Sequence, residues 1–209
     1  MSYRVAVLVS GEGSNLQAIL DKVHGRDGIE VVAVGSNRAD ARGLGRAQKA
    51  GVETGVFDAA DYGGDRELRD RMLCDWLEEH QIDLVVLAGY MQIIRAAFIE
   101  RLQGRIINVH PSLLPAFAGL HAIEQAVESG VRVTGVTVHF VDEGVDSGPI
   151  ILQQAFELPY SAELEAIEET VHAIEHELLP RAIRLLASGA VRIDPDNPRR
   201  VLIEERADV

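Results

Sequence analysis

The stretch "YRVAVLVSGEGSNLQAILDKV" (3–23) decides the architecture. Residues 3–10 form a near-continuous β-branched run, the pattern of a strand buried on both faces. Gly11 and Gly13 break it. From Ser14 onward, Leu16, Ile19, Leu20 and Val23 recur at helical spacing. A strand, a glycine turn and a helix open an α/β fold.

The same alternation continues outward. "IEVVAVGS" (29–36) reads as a second strand, followed by a helix over 41–50, and "VETGVF" (52–57) as a third strand. "DRELRDRMLCDWLEEH" (65–80) predicts a helix whose apolar face is Leu68, Met72, Leu73, Trp76 and Leu77. "DLVVLAG" (83–89), a helix around 94–102 and "RIINVH" (105–110) follow. The expected fold is α/β, a mostly parallel Rossmann-like sheet flanked by helices. Ligands of such sheets sit beyond the carboxyl ends of the strands, where Gly11, Gly89 and His110 stand.

After residue 130 the rhythm changes. "RVTGVTVHFV" (132–141) and "PIILQQAFEL" (149–158) predict an antiparallel or mixed strand extension. A long helix over 161–189 opens at Ser161, with Glu163 and Glu165 in its first turns, and ends at Gly189. The tail reads as a small hairpin turning at "DPDNP". The expected organisation is one domain over 1–209, built of halves 1–110 and 111–209.

The net charge of −13 argues against a nucleic-acid partner, because a phosphate backbone is met by basic patches. A single cysteine, Cys74, cannot form an internal disulfide. With no apolar run of membrane-span length and no signal-peptide pattern at the start, a cytoplasmic location without membrane contact is expected.

In the glycine turn, the free N–H groups and dipole of the helix that follows favour an anion, and Ser14 and Asn15 could cap that helix. A plain strand-to-helix turn fits the same residues. A dinucleotide fingerprint needs a third glycine where Leu16 stands and an acid where "SNRAD" follows the second strand. Arg38 keeps an NADP-binding enzyme in view, but a loop for one phosphate is the better reading.

Asn108 and His110, two apart in a strand, share one face, and Pro111 then turns the chain away. Asp146 lies in the loop of the final strand pair. An imidazole carries protons near neutral pH, a carboxylate orients it, and an amide donates to a developing oxyanion without titrating. That set suits acyl-type transfer to an amine with no side-chain nucleophile, although a sheet-capping histidine and a turn aspartate read equally well. Ser112 has no nucleophile elbow around it.

"NVHPSLLP" (108–115) and "GVTVHFVDEGVDSGPIILQQAFEL" (135–158) closely resemble the folate-dependent formyltransferases, and "SGEGSN" (10–15) resembles the phosphate loop of their glycinamide ribonucleotide branch. The resemblance runs from about residue 3 to residue 189. It implies transfer of a formyl group from 10-formyltetrahydrofolate, as co-substrate, to the amine of 5′-phosphoribosylglycinamide in purine biosynthesis. It implies a catalytic trio of Asn108, His110 and Asp146, and a substrate-phosphate loop of Gly11, Glu12, Gly13, Ser14 and Asn15. Arg66, Met91, Gln92, Ile93, Ile94 and Asn108 match folate-binding positions, and Glu175 matches an acid that holds the substrate's ribose. The first half thus becomes the phosphate-binding half and the second the folate and catalytic half. The chain departs from the family's usual pattern at Gln92, where relatives often carry a basic residue, and at Ala118, where they often carry proline.

Pro111, Thr137 and His139 are candidate site-lining residues. "HAIEH" (172–176) matches the H-x-x-E-H metalloprotease pattern, but one face of a long helix explains it, and no metal is expected. His121 has no chemistry that demands a substrate contact. Methionyl-tRNA formyltransferase and formyltetrahydrofolate deformylase are rival readings that normally carry a further domain. A phosphate sensor using the Gly11 loop alone is the rival from outside catalysis. Monomer and homodimer both remain open.

Overall fold

β1 (Tyr3–Val9) is central to its sheet, and Val5 through Val9 are wholly buried. The near-continuous apolar run predicts this, since a parallel strand covered on both faces has no solvent side to mark. In this computed structural model, which describes residues 2–159 and 163–204, the chain divides into compact units Met1–Asn108 and Val109–Val209.

The first unit is a parallel sheet in the order β3-β2-β1-β4-β5. β2 (Ile29–Ser36) pairs with β1 and with β3 (Glu53–Val56), while β4 (Leu84–Leu87) pairs with β1 on its other side. β5 (Ile106–His110) runs parallel to β4 up to the Leu87–Asn108 register. The strand order therefore reverses between β1 and β4, and the loops leaving them are tied together. Ser10 N–H donates to the Gly89 carbonyl (3.1 Å), Met91 N–H to Ser10 Oγ (2.8 Å), and Ser10 Oγ–H to Asn37 Oδ1 (2.5 Å). Such a switch point is where open α/β sheets take ligands.

Helices α1 (Ser14–Lys22), α2 (Arg42–Lys49), α3 (Arg66–Glu79) and α4 (Ala96–Arg101) complete the unit. α3 is rotated from the expected face. Leu73 and Leu77 are buried as expected, but Met72 is 40% exposed, and Arg69, Asp70 and Cys74 point inward. Arg69 and Asp70 stand at ion-pair distance (2.7 Å), which lets two charges occupy an inward turn that hydropathy assigns to apolar residues.

In the second unit, β6 (Val133–Phe140) and β7 (Ile150–Glu157) pair antiparallel, as the chain reads. β9 (Asn197–Ile203) joins β7 in parallel and β8 (Val191–Asp194) antiparallel, giving the order β6-β7-β9-β8. α6 (Leu164–Ala187) buries Ile167, Val171, Ile174, Leu178 and Ile183 along one stripe. Its expected opening residue, Ser161, lies outside the described residues. At its far end Gly189 (φ 72°) and Ala190 donate to the Leu186 and Leu185 carbonyls, the two bonds of a Schellman ending. α5 (Ala122–Glu128) and a 3-10 turn over Ala59–Tyr62 escape the sequence reading. α5 packs Ala126 and Ile123 against Leu158 and Ile167.

Candidate active site

In the first unit the Gly11–Asn15 turn is shaped by close backbone approach. Gly13 adopts φ 73°, and a Cβ there would stand 2.7 Å from Gly43 Cα at the start of α2. Gly43 N–H donates to the Gly11 carbonyl (3.1 Å), so turn and α2 meet backbone to backbone. Both the positive φ and the contact demand glycine. Gly13 itself occupies the N-cap position of α1 and no side chain caps the helix. Ser14 and Asn15, expected as caps, are its first two residues. The first-turn N–H groups of a helix have no partner within the helix, which is what lets a helix start take an anion. Arg38 pairs with Asp40 (2.7 Å).

The Met91–Ile94 segment leaves β4 as a loop that exposes Met91 (69%) and Ile93 (82%). Arg66, exposed, is the first residue of α3, whose N-cap Asp65 accepts from Glu67 and Leu68 N–H. Sequence reasoning missed Arg69. It is 1% exposed, and its Nη1 reaches Gln92 Oε1 at 3.5 Å. Its i, i+4, i+8 spacing with Leu73 and Leu77 was the available signal, hidden by its charge.

Asn108 closes the first unit, half-buried on β5, and the strand's alternation places it on the face that His110 also uses. His110 is buried in the second unit, with an acceptor at each ring nitrogen. Nε2 lies 2.8 Å from the Phe117 carbonyl and Nδ1 3.3 Å from Asp146 Oδ2. The imidazolium form satisfies both.

Asp146 receives a second imidazole. His139 Nε2 stands 3.6 Å from Oδ1, beyond hydrogen-bond length but within ion-pair range, while its Nδ1 meets the Phe140 carbonyl at 2.8 Å. Gly119 N–H donates to Asp146 Oδ2 (2.8 Å). Burial alone would raise the Asp146 carboxyl. The approach of His139, the Gly119 N–H and the charge of His110 outweigh it and hold the group below its ordinary value.

Two loops are fixed so that these contacts form. Thr137 Oγ1–H donates to the Ser112 carbonyl (2.6 Å) and accepts from Leu114 N–H (3.1 Å) and Gln153 Nε2 (2.9 Å). Thr137 is fully buried, so it anchors the loop opened by Pro111 instead of lining a site. Ser112 is also buried and donates to the Ala116 carbonyl (2.6 Å), so it is no nucleophile. In the Asp146 loop a Cβ on Gly148 would meet the Phe140 carbonyl oxygen at 1.8 Å, so glycine alone lets the chain pass. Asp146 itself is held at φ 49°.

Glu175 is buried on α6, its carboxylate 3.1 Å from His172 Nδ1, and His172 stacks on His176 with centroids 6.2 Å apart. Among the described residues no group of three or more His, Cys, Asp or Glu is arranged to hold a metal ion. His121, 75% exposed at its side chain, pairs with Glu124.

Residues 3–183 match the formyl transferase family. The chain belongs to the formyl transferase family. Among formyl transferases, phosphoribosylglycinamide formyltransferase of Haemophilus influenzae is 40% identical over 191 residues, 91% of this chain and 90% of that protein. The bovine trifunctional purine biosynthetic protein adenosine-3 is 46% identical over 91% of this chain, which spans 19% of that longer protein. Glycinamide ribonucleotide transformylase 1 of Symbiobacterium toebii superposes with a TM-score of 0.92 at 47% identity, covering 98% of this chain and 95% of that one. The family match takes in the Gly11 turn, Asn108, His110, Asp146 and Glu175.

Proposed function

We propose that this chain transfers the formyl group of 10-formyltetrahydrofolate to the amine of 5′-phosphoribosylglycinamide, releasing tetrahydrofolate in purine biosynthesis. The observation that carries the reading is His110, buried between the Phe117 carbonyl and the Asp146 carboxylate, one residue beyond Val109 and two beyond Asn108. The substrate amine attacks the formyl carbon, a C–N bond forms and the carbonyl oxygen becomes an oxyanion. The Asn108 amide and the His110 Nε2–H, released from Phe117, donate to that oxygen. Asp146 keeps the imidazole oriented and its positive charge supported. The proton lost by the amine passes to N10 of the folate as the C–N10 bond breaks. Among the described residues no helix is long and apolar enough to cross a membrane.

We assign the substrate phosphate to the Gly11–Asn15 turn, the folate to Arg66, Met91–Ile94 and Asn108, and the ribose to Glu175. The test is tetrahydrofolate release from a 10-formylated donor with and without glycinamide ribonucleotide. Release that needs the ribonucleotide supports the transferase. Release at the same rate without it makes the chain a formyltetrahydrofolate hydrolase.

A further inference from the structure

Arg46 makes two bonds to the Gly11–Asn15 turn and a third to α1 beyond it. Its Nε donates to the Glu12 carbonyl (2.9 Å), its Nη2 to Glu12 Oε1 (2.9 Å) and its Nη1 to Gln17 Oε1 (3.1 Å). One planar fork therefore spans the residue before Gly13 and the first turn of α1 after it, which a lysine could not do. Arg42 also meets Glu12, but through one bond (2.8 Å) from a side chain 78% exposed, against 31% for Arg46.

We infer that Arg46 is a positioning residue for the substrate phosphate, fixing the Glu12–Gly13 peptide so that the α1 amides converge, and screening the Glu12 carboxylate from the incoming phosphate. The inference rests on the phosphate-loop assignment proposed above. Two physical needs meet here. Amides bind an anion well only if their directions are set beforehand, because ordering them on binding spends affinity. A turn that carries a glutamate next to a phosphate site must also neutralise it. The hydrogen bonds of Arg42 and then Arg46 hold the Glu12 carboxyl below its ordinary value, so the charge to be screened is a full one.

The experiment compares glycinamide ribonucleotide with its phosphate-free ribonucleoside as acceptors, in the full-length wild type and in Arg46→Met, Arg46→Lys and Arg42→Ala. Arg46→Met should raise KM for the ribonucleotide about tenfold or more with kcat within threefold, and leave KM for the formyl donor and kcat/KM for the ribonucleoside within twofold. Arg46→Lys should fall between, and Arg42→Ala, which leaves the bonds to the Glu12 carbonyl and Gln17 in place, should raise KM for the ribonucleotide by less than about threefold. The inference is overturned if Arg46→Met matches Arg42→Ala, or if it weakens both acceptors equally. Should Arg46→Met fold poorly by circular dichroism, Arg46→Lys decides by the same ratio of acceptors. A wild type that uses both acceptors with equal KM sinks the phosphate-loop reading itself, and Arg46 with it.

Discussion

At the scale of single residues, the reaction is expected to depend on three polar side chains with separable roles. His110→Ala and Asn108→Ala should each lower kcat by about a hundredfold or more, because each removes a donor to the oxyanion. Circular dichroism should show both folded. Near-normal tetrahydrofolate release in either variant would remove that residue from the mechanism. Asp146→Asn should be similarly damaging, and it also carries a signature in stability. The Asp146 carboxyl is held below its ordinary value in the folded chain, so its contribution is present above the unfolded pKa and lost as pH falls through the folded value. The wild-type urea midpoint should therefore drop with acid below about pH 4, the ordinary carboxylate range. In Asp146→Asn that limb should be shallower. An unchanged limb would mean that the two imidazoles do not stabilise this carboxylate. His139, a candidate lining residue from its strand position, stands within ion-pair range of Asp146.

At the scale of elements, the orientation of α3 and the two glycine passages make testable statements. Met72 faces solvent, so Met72→Ala should change stability by no more than about 0.5 kcal/mol. Leu77→Ala, at a wholly buried position, should cost about 2–5 kcal/mol. Chemical denaturation of the pair decides whether the helix sits as described. Gly13→Ala adds a Cβ against Gly43 Cα, in the turn proposed to take the substrate phosphate. It should raise KM for glycinamide ribonucleotide and lower the unfolding midpoint, with folate affinity nearly untouched. A variant with normal stability would contradict the contact with α2. The seven residues of α5 gave too short a run for periodicity to register, and the helix starts at His121 in a left-handed conformation that pattern reading does not anticipate. The rotation of α3 had a different cause, since charge at Arg69 and Asp70 outvoted spacing.

At the scale of the whole molecule, the proposed chemistry needs neither a dinucleotide nor a metal. NAD and NADP should neither bind in calorimetric titration nor raise the thermal midpoint. Micromolar NADP binding lost in Gly13→Ala would make the turn an oxidoreductase site. Exhaustive chelation should leave turnover unchanged, and one zinc per purified chain, held through His172 and His176, would overturn that expectation. The alternation of strands and helices in the first unit and the parallel character of its sheet were readable along the chain, as were Asn108, His110 and Asp146 as candidates. Local periodicity and short motifs record them, because a strand's burial and a helix's stripe are set by residues a few positions apart. Only the tertiary structure decided that Phe117 caps His110, that His139 joins Asp146, that Thr137 anchors a loop, and that Arg46 clamps the Glu12 turn. These pairs lie 7 to 34 positions apart in contacts that leave no repeating trace, so folding alone brings them within hydrogen-bond or ion-pair reach.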